Sequence, residues 1–421
     1  MNSAARHGCP LAFLLLGVVA TACPSRNTVN HDVMLESASV DSYQDIVIAA
    51  DHIDAAADDR APLVRPQRGT ADRIYCGGGG EPFTCVLHTT GEVSCWGHNR
   101  WSKLGDGTDV DRRWPAIVRL PAPVLELSLG GSSACARLAN EEVWCWGPIV
   151  CYMPGHPCLR GPPYPPPIRV ADLGPVRSLA VSEATLCGAT PEGRVICWAG
   201  DPISSRIIPR QEVPVLIPGL DNVVGISLGL WSACGWRTGG DAFCWEGADL
   251  LNVEGDGGAL RPPIALTGVP PVRDVRVGAP HRCAITTDGD VWCAGPERWG
   301  WPFFLPGEDG GTRSWPVRRM PGLSGVASLR LSRHTACVIL ADQTVRCWGS
   351  NESGQLGRGV DRSQLSESLV PESPRGLGRV RDICAPDFHS CAITEDRTVL
   401  CWGYPGFHEA DVLEPTVVPE L

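Results

Sequence analysis

The chain has 421 residues, with 47 acidic against 36 basic side chains and a formal net charge of −11. That balance argues against a general nucleic-acid binder, which needs a basic face, and a composition of 20% charged and 43% hydrophobic residues argues against wholesale disorder. The 20 Cys, beside 48 Gly, 38 Pro and 15 Trp, are a thiol load suited to an oxidising compartment.

Residues 11–20 are an apolar run preceded by Arg6 and His7. The run is too short to span a membrane as a helix and suits a signal-peptide core. Ala20, Thr21 and Ala22 then place small residues directly before Cys23, which resembles the bacterial lipoprotein box, although Ala20 stands where Leu is preferred. Residues 1–22 are therefore expected to be a lipoprotein-type signal peptide, with Cys23 the lipidated residue. The plainer alternative is an ordinary secretory signal cleaved nearby. Residues 23–70 carry Asp32, Asp41, Asp45, Asp51, Asp54, Asp58 and Asp59, many Ala and Ser, and no Cys after Cys23. Such an acidic, low-complexity stretch reads as a solvated tether.

From residue 71 the chain repeats. Cysteine pairs fall at 85/95, 135/145, 187/197, 234/244, 283/293, 337/347 and 391/401, each ten apart, with first members separated by 50, 52, 47, 49, 54 and 54 residues. A period near 50 signals a propeller or solenoid. Each unit opens with a short strand, as at residues 272–278, and continues into the first Cys. A strand, a polar turn such as Thr287-Asp288-Gly289-Asp290 and a second strand lead to the second Cys. A variable loop then reaches a Pro-led apolar strand, such as Pro115-Ala116-Ile117-Val118. Four short strands per unit, without a sustained helical period, predict an all-β propeller blade. The seven repeats lie near residues 71–122, 123–173, 174–220, 221–269, 270–323, 324–378 and 379–421.

Particular motifs carry a family resemblance. They are His389-Ser390-Cys391-Ala392-Ile393, Cys401-Trp402-Gly403, Cys347-Trp348-Gly349 with Gly354-Gln355-Leu356-Gly357, and Leu104-Gly105-Asp106-Gly107. In these the chain resembles the regulator of chromosome condensation repeat family over residues 71–421. The resemblance implies a closed seven-bladed β-propeller. Repeats 2 to 5 and 7 lack a clear Gly-Gln-Leu-Gly segment, and repeat 5 has Cys293-Ala294-Gly295 in place of Cys-Trp-Gly. The segment Thr286 to Trp292 approaches the Asp box of sialidase-type propellers, but Gly289 directly follows Asp288, so no sialidase chemistry is carried over.

In each unit the two Cys are equidistant from the turn centre, which predicts that they face each other across an antiparallel hairpin at a separation a disulfide accepts. The alternatives are zinc, whose usual Cys spacing is two to four residues, and free buried thiols. Cys151 and Cys158 flank a Pro-rich loop segment and suggest a local disulfide. Cys384, seven residues before Cys391, has as counterparts Ser128, Ala180, Ser227, Arg276 and Arg330, a series expected to line the central channel. Cys76 opens repeat 1 at a similar place, so a Cys76–Cys384 clasp is expected between first and last blades. Each repeat reads as complete, so no strand exchange between the chain ends is expected.

Trp96, Trp146, Trp198, Trp245, Trp348 and Trp402 share one repeat position, next to a Cys and on the opposite strand face. Packing between blades is the favoured role; a ring of carbohydrate-stacking aromatics is the alternative. Trp299, Trp301, Phe303 and Phe304 lie in the long loop of repeat 5, as a candidate contact surface. His281, His334 and His389 precede the first Cys of their repeats and read as local hydrogen-bonding groups.

No nucleophile elbow, metalloprotease helix motif or phosphate loop is present in the sequence. The reading assigns no catalytic residue, metal or cofactor. It expects a monomeric, non-catalytic binding propeller of the bacterial cell envelope, anchored through lipid, whose partner is an envelope protein or glycan. Inhibition of a secreted enzyme is the alternative, since a secreted beta-lactamase inhibitor protein shares this kind of propeller. A glycan-active enzyme at the channel mouth is a further alternative. The best-known family member promotes nucleotide exchange on a small GTPase and binds chromatin. The export signal and the acidity argue against that role here.

Overall fold

The computed structural model describes residues 69–78, 81–152, 165–183, 185–199, 214–230, 232–246, 263–278, 281–295, 317–404 and 411–419. The chain divides into Met1–Arg65 and Pro66–Leu421, and every described residue belongs to the second unit. That unit is a seven-bladed β-propeller. Each blade is one four-stranded antiparallel sheet made of four consecutive strands, and among the described residues no strand is exchanged between the chain ends.

Local chemistry accounts for the blade. In blade 5 the inner strand Val272–Val277 buries Val272, Val275 and Val277. The spacing departs from strict alternation because a bulge falls between Val272 and Asp274. Six of the seven inner strands carry a bulge at this place. The hairpin turn that follows needs one left-handed residue. It is Gly91, Gly193, Gly240 or Gly289 in four blades, and Glu141, Gln343 or Arg397 in the other three. Gly fills such a position without steric cost, whereas the other three accept strain there. The turn also fastens blades together. The carbonyls of Gly91, Gly193, Gly240, Gly289 and Gln343 accept the amides of Val124, Val223, Val272, Val326 and Val380, each in the next blade, at 2.8–3.0 Å.

The two cysteines of every hairpin stand directly opposite in register. They are disulfide-bonded, with Cα–Cα distances of 4.1–4.2 Å. By the loop-entropy model each clip contributes roughly 2–3 kcal/mol. An eighth bond joins Cys76 to Cys384 across 308 residues, with a Cα–Cα distance of 5.6 Å. Eight bonds are compatible with an oxidising or extracellular location.

Among the described residues the core is seven clusters, one at each blade interface. Cys85 and Cys95 of blade 1 pack under Trp146 of blade 2, and Cys135 and Cys145 under Trp198. Cys187 and Cys197 pack under Trp245, Cys283 and Cys293 under Trp348, and Cys337 and Cys347 under Trp402. Trp96 of blade 1 closes the ring against Cys384 and Cys391 of blade 7. All six indoles are at most 8% exposed, so they pack between blades and present no sugar-stacking surface. The interface of blades 4 and 5 differs. Ala294 holds the Trp position there, and the cluster comprises Cys234, Cys244, valines and alanines.

This gap makes a prediction. In hydrogen-exchange mass spectrometry, the amides of Val272–Val277 should exchange faster than the corresponding inner strands of blades 6 and 7, because a buried Trp supplies far more contact than Ala. Uniform protection around the ring would contradict it.

Candidate functional site at the channel mouth

The seven inner strands surround a central channel and end around one cavity. They are Ala71–Gly77, Val124–Leu129, Ser178–Val181, Val223–Leu228, Val272–Val277, Val326–Leu331 and Val380–Cys384. Where these strands end, a cavity of about 270 Å³ is lined by residues of all seven blades. Leu129, Val181, Leu228, Val277 and Leu331 supply an apolar belt, and Glu183, Arg333 and Asp387 stand at its rim. Neighbouring blade loops touch closely here. A Cβ on Gly229 would lie 2.1 Å from the Gly278 carbonyl oxygen, and one on Gly278 would lie 2.1 Å from that of Ser332. Only glycine admits this approach.

Opposite the first cysteine of each hairpin stand Tyr75, Ser128, Ala180, Ser227, Arg276, Arg330 and Cys384. The expected row is thus present, with one correction. Blade 1 places Tyr75 there, and Cys76 lies one residue on, opposite Thr84. The longer loop after Gly77 absorbs the offset. Tyr75, Arg330 and Cys384 border the cavity. Two of the serines turn to the next blade instead: Ser128 Oγ accepts the Val181 amide and Ser227 Oγ the Val277 amide, both at 3.0 Å.

Two residues earlier on these strands lies a charged layer. Arg330 donates to Asp382 Oδ1 at 2.6 Å, and the Asp382 side chain is 2% exposed. Asp382 Oδ2 accepts the amide of Ile74 at 3.0 Å, across the junction of blades 7 and 1. Arg276 pairs with Asp274 at 3.0 Å. Glu126 pairs with Arg137 at 3.1 Å and accepts the Leu179 amide of blade 3 at 3.2 Å. Burial raises the Glu126 carboxyl pKa, with the Leu179 amide and Arg137 opposing. Burial, and next Asp382, push the Tyr75 hydroxyl up to about 12. Burial disfavours the Arg330 cation, but Asp382, Asp274 and Tyr75 outweigh it and raise its pKa. The cavity therefore offers a protonated phenol and a permanent guanidinium, two donors below an apolar belt. That arrangement suits binding of an acceptor-bearing group. A phenol held protonated cannot serve as a base at neutral pH.

The seam between blades 1 and 7 gathers further groups. Thr84 Oγ1 lies 2.9 Å from His389 Nε2, 3.8 Å from Cys391 Sγ and 3.7 Å from Cys76 Sγ. Ligand-type atoms of Cys76, His389 and Cys391 come within 4.8 Å of one another. Both sulfurs are in disulfides and offer no thiolate, so the oxidised cluster lacks the donors a metal needs. Burial lowers the His389 pKa to about 4. His281 and His334 do not join it. His281 packs against Gly295, and the His334 amide donates to Asp387 Oδ1 at 3.2 Å.

Cys23, Cys158, Trp299, Trp301, Phe303 and Phe304 lie outside the described residues, and with Cys158 the Cys151–Cys158 pairing. Sequence reasoning overlooked Tyr75, Thr84, Asp382 and Lys103. Lys103 is the only lysine in the chain. Its side chain is fully buried, and Nζ donates to the Glu81 carbonyl at 2.9 Å and to Glu81 Oε2 at 3.1 Å. It occupies the loop position of Gln355, and its backbone does the same work. The Lys103 carbonyl accepts the Trp146 indole N–H at 3.0 Å, as that of Gln355 accepts the Trp402 N–H at 2.8 Å. The signal was available in the parallel of Ser102-Lys103-Leu104-Gly105 with Gly354-Gln355-Leu356-Gly357.

Comparison with known proteins bears on this architecture. Residues 344–393 match the regulator of chromosome condensation (RCC1) repeat. Residues 326–355 and 380–409 match a second description of the same repeat. The chain carries RCC1 repeats over residues 326–409. It is similar to the mitochondrial RCC1 domain-containing protein RUG3 of Arabidopsis thaliana, 28% identical over 240 residues, which are 52% of this chain and 52% of that protein. It is 26% identical over 256 residues to the human E3 ubiquitin-protein ligase HERC2, covering 57% of this chain and 5% of HERC2. The chain thus spans about half of the first relative and a small part of the second. Among solved structures it resembles Prp20p of Saccharomyces cerevisiae, described with its binding to Gsp1p and histones. The TM-score is 0.64 at 17% identity, over 84% of this chain and 86% of that one. At that identity the likeness is one of fold. RCC1-type propellers often mediate protein interactions, and this one carries that architecture with cysteine clips added.

Two predictions follow from the RCC1 propeller's charged layer and seam. Asp382→Ala should cost about 3–5 kcal/mol in denaturant unfolding, because it strands the Arg330 cation and the Ile74 amide. The double variant with Arg330→Ala should lose clearly less than the two single losses combined; simple additivity would refute the pairing. His389 is depressed from 6.5 to about 4 in the folded state. Its contribution is therefore complete above pH 6.5 and is lost as the pH falls towards 4, on the order of 3 kcal/mol. Thermal melts of wild type and His389→Gln between pH 7 and 4 should show a shallower fall in the variant.

Proposed function

We propose that the protein is an exported lipoprotein whose non-catalytic RCC1-type propeller binds an envelope partner at its channel mouth. In this reading residues 1–22 are the signal peptide, Cys23 carries the lipid, and residues 23–70 hold the propeller off the membrane. The eight disulfides and the small residues before Cys23 support export. The observation that carries the binding reading is the cavity itself. All seven blades contribute to it, and its apolar belt is joined by the Tyr75 phenol and by the Arg330 guanidinium, which Asp382 holds in position. A concave site with an apolar wall and a few oriented polar groups is the usual form of a binding site. Acceptor oxygens of a protein segment match Tyr75 and Arg330, and apolar side chains match Leu228 and Leu331. A glycan meets only the first requirement.

The test uses the tagged full-length protein, cross-linked in intact cells and recovered from the envelope. Wild type is expected to bring down one stoichiometric protein, and Leu228→Arg with Leu331→Arg to lose it while melting normally. Cys23→Ser should move the protein from the membrane to the soluble fraction. Equal capture by the Arg variants would overturn the mouth as the binding site, and unchanged membrane association of Cys23→Ser would overturn the anchor. A secreted enzyme as the captured partner would identify the propeller as its inhibitor.

A further inference from the structure

Among the described residues no exchanged strand closes the ring, and the one covalent link between its ends is the Cys76–Cys384 bond. That bond has a second disulfide beside it. Cys391, bonded to Cys401, stands opposite Cys384 in register, and its sulfur comes within 4.8 Å of the Cys76 sulfur. No other hairpin disulfide among the described residues has this neighbour, because the matching inner-strand residues are Tyr75, Ser128, Ala180, Ser227, Arg276 and Arg330. Access differs as well. Thirteen of the fourteen hairpin cysteines are at most 4% exposed. The fourteenth, Cys401, is half-buried, and so is Cys76, which borders the channel-mouth cavity.

We propose that the seam is a thiol–disulfide exchange site, in which Cys401 is the point of entry for a dithiol reductant and Cys391 takes over the clasp from Cys384. A thiolate of the dithiol attacks Cys401 Sγ, the Cys391–Cys401 bond breaks, and Cys391 leaves as a thiolate. Cys391 attacks Cys76 Sγ, a Cys76–Cys391 bond forms, and the Cys76–Cys384 bond breaks. Cys384 takes the electron pair and then a proton released by the dithiol. The second thiol of the dithiol then resolves the mixed disulfide, which frees Cys401 as a thiol and leaves the dithiol oxidised. The ring emerges still covalently closed, with thiols at Cys384 and Cys401. Exchange of this kind depends on which sulfur can be reached and on the proximity of the next acceptor. Only blade 7 supplies both. The site makes no use of whatever ligand fills the channel mouth.

The experiment is peptide mapping of the oxidised full-length protein after one equivalent of dithiothreitol and quenching with iodoacetamide. Cys384 and Cys401 should be the first residues alkylated, and a linked Cys76–Cys391 peptide should appear. The variant Cys401→Ser, made without any reductant, should divide Cys76 between Cys384 and Cys391. The control Cys347→Ser should leave Cys337 alkylatable and form no new link. Absence of any Cys76–Cys391 peptide from both wild type and Cys401→Ser, with Cys391 fully alkylated in the variant, would overturn the proposal. So would reduction of the buried hairpins before Cys401. Should Cys401→Ser fail to fold, the wild-type map decides alone.

Discussion

The contact on which this structure depends is that of a hairpin disulfide with the indole of the following blade. It joins two scales. Within a blade the disulfide fixes the register of the central hairpin. Between blades its outer surface forms the floor on which the next Trp lies, so one group sets both the shape of a blade and its distance from its neighbour. Strand alternation makes this work. A Trp directly after the second Cys must point to the opposite face, towards the preceding blade's disulfide. Repeated around the chain, that geometry builds a ring. Blade 5, with Ala294 after Cys293, keeps its disulfide and omits the indole. There the two roles come apart.

Closing the ring places different demands on the chain ends. The other described interfaces join blades that are neighbours in sequence, whereas blades 1 and 7 meet across more than 300 residues of chain. The protein meets this with heterogeneous contacts rather than a shared strand. Asp382 accepts the Ile74 amide, His389 lies against Thr84, Arg397 donates to the Ala71 carbonyl at 2.9 Å, and the Cys76–Cys384 bond ties them covalently. Several of these groups are buried polar atoms that water cannot reach, so each depends on its partner being in place. The seam is therefore specific in a way that apolar packing alone is not.

The channel mouth is a consequence of the same ring. Seven inner strands that end around one cavity leave a concavity whose apolar wall comes from the residue closing five of them, Leu129, Val181, Leu228, Val277 and Leu331. The charges deeper in the channel are spent mainly on holding blades together: Glu126 on a neighbouring amide, Asp382 on another. The cavity is left with a phenol, a guanidinium and an apolar wall, with Glu183, Arg333 and Asp387 at its rim. The likeness to RCC1 propellers extends to the scaffold. The partner has to be argued from these residues, because the chain matches only about half of RUG3 and resembles Prp20p in fold alone.

The amino-acid sequence by itself determined the repeat, the blade count, the hairpin pairing and the role of the recurrent Trp. The reason is that each is a local relation. A ten-residue spacing about a turn and the two-residue strand period act within a few residues and recur seven times, so they are legible without coordinates. The clasp was also within reach, since a closed ring makes first and last repeats neighbours. The alignment of blade 1 was not. The loop after Gly77 offsets its register by one residue, and Tyr75 rather than Cys76 takes the channel position. The partnership of Asp382 with Arg330 and Ile74, the fully buried Lys103, and the approach of Cys391 to Cys76 were likewise decided only by the tertiary structure. Each joins residues from different blades or from different loops. Their chemistry is set by burial and distance, and neither quantity is a property of residue order.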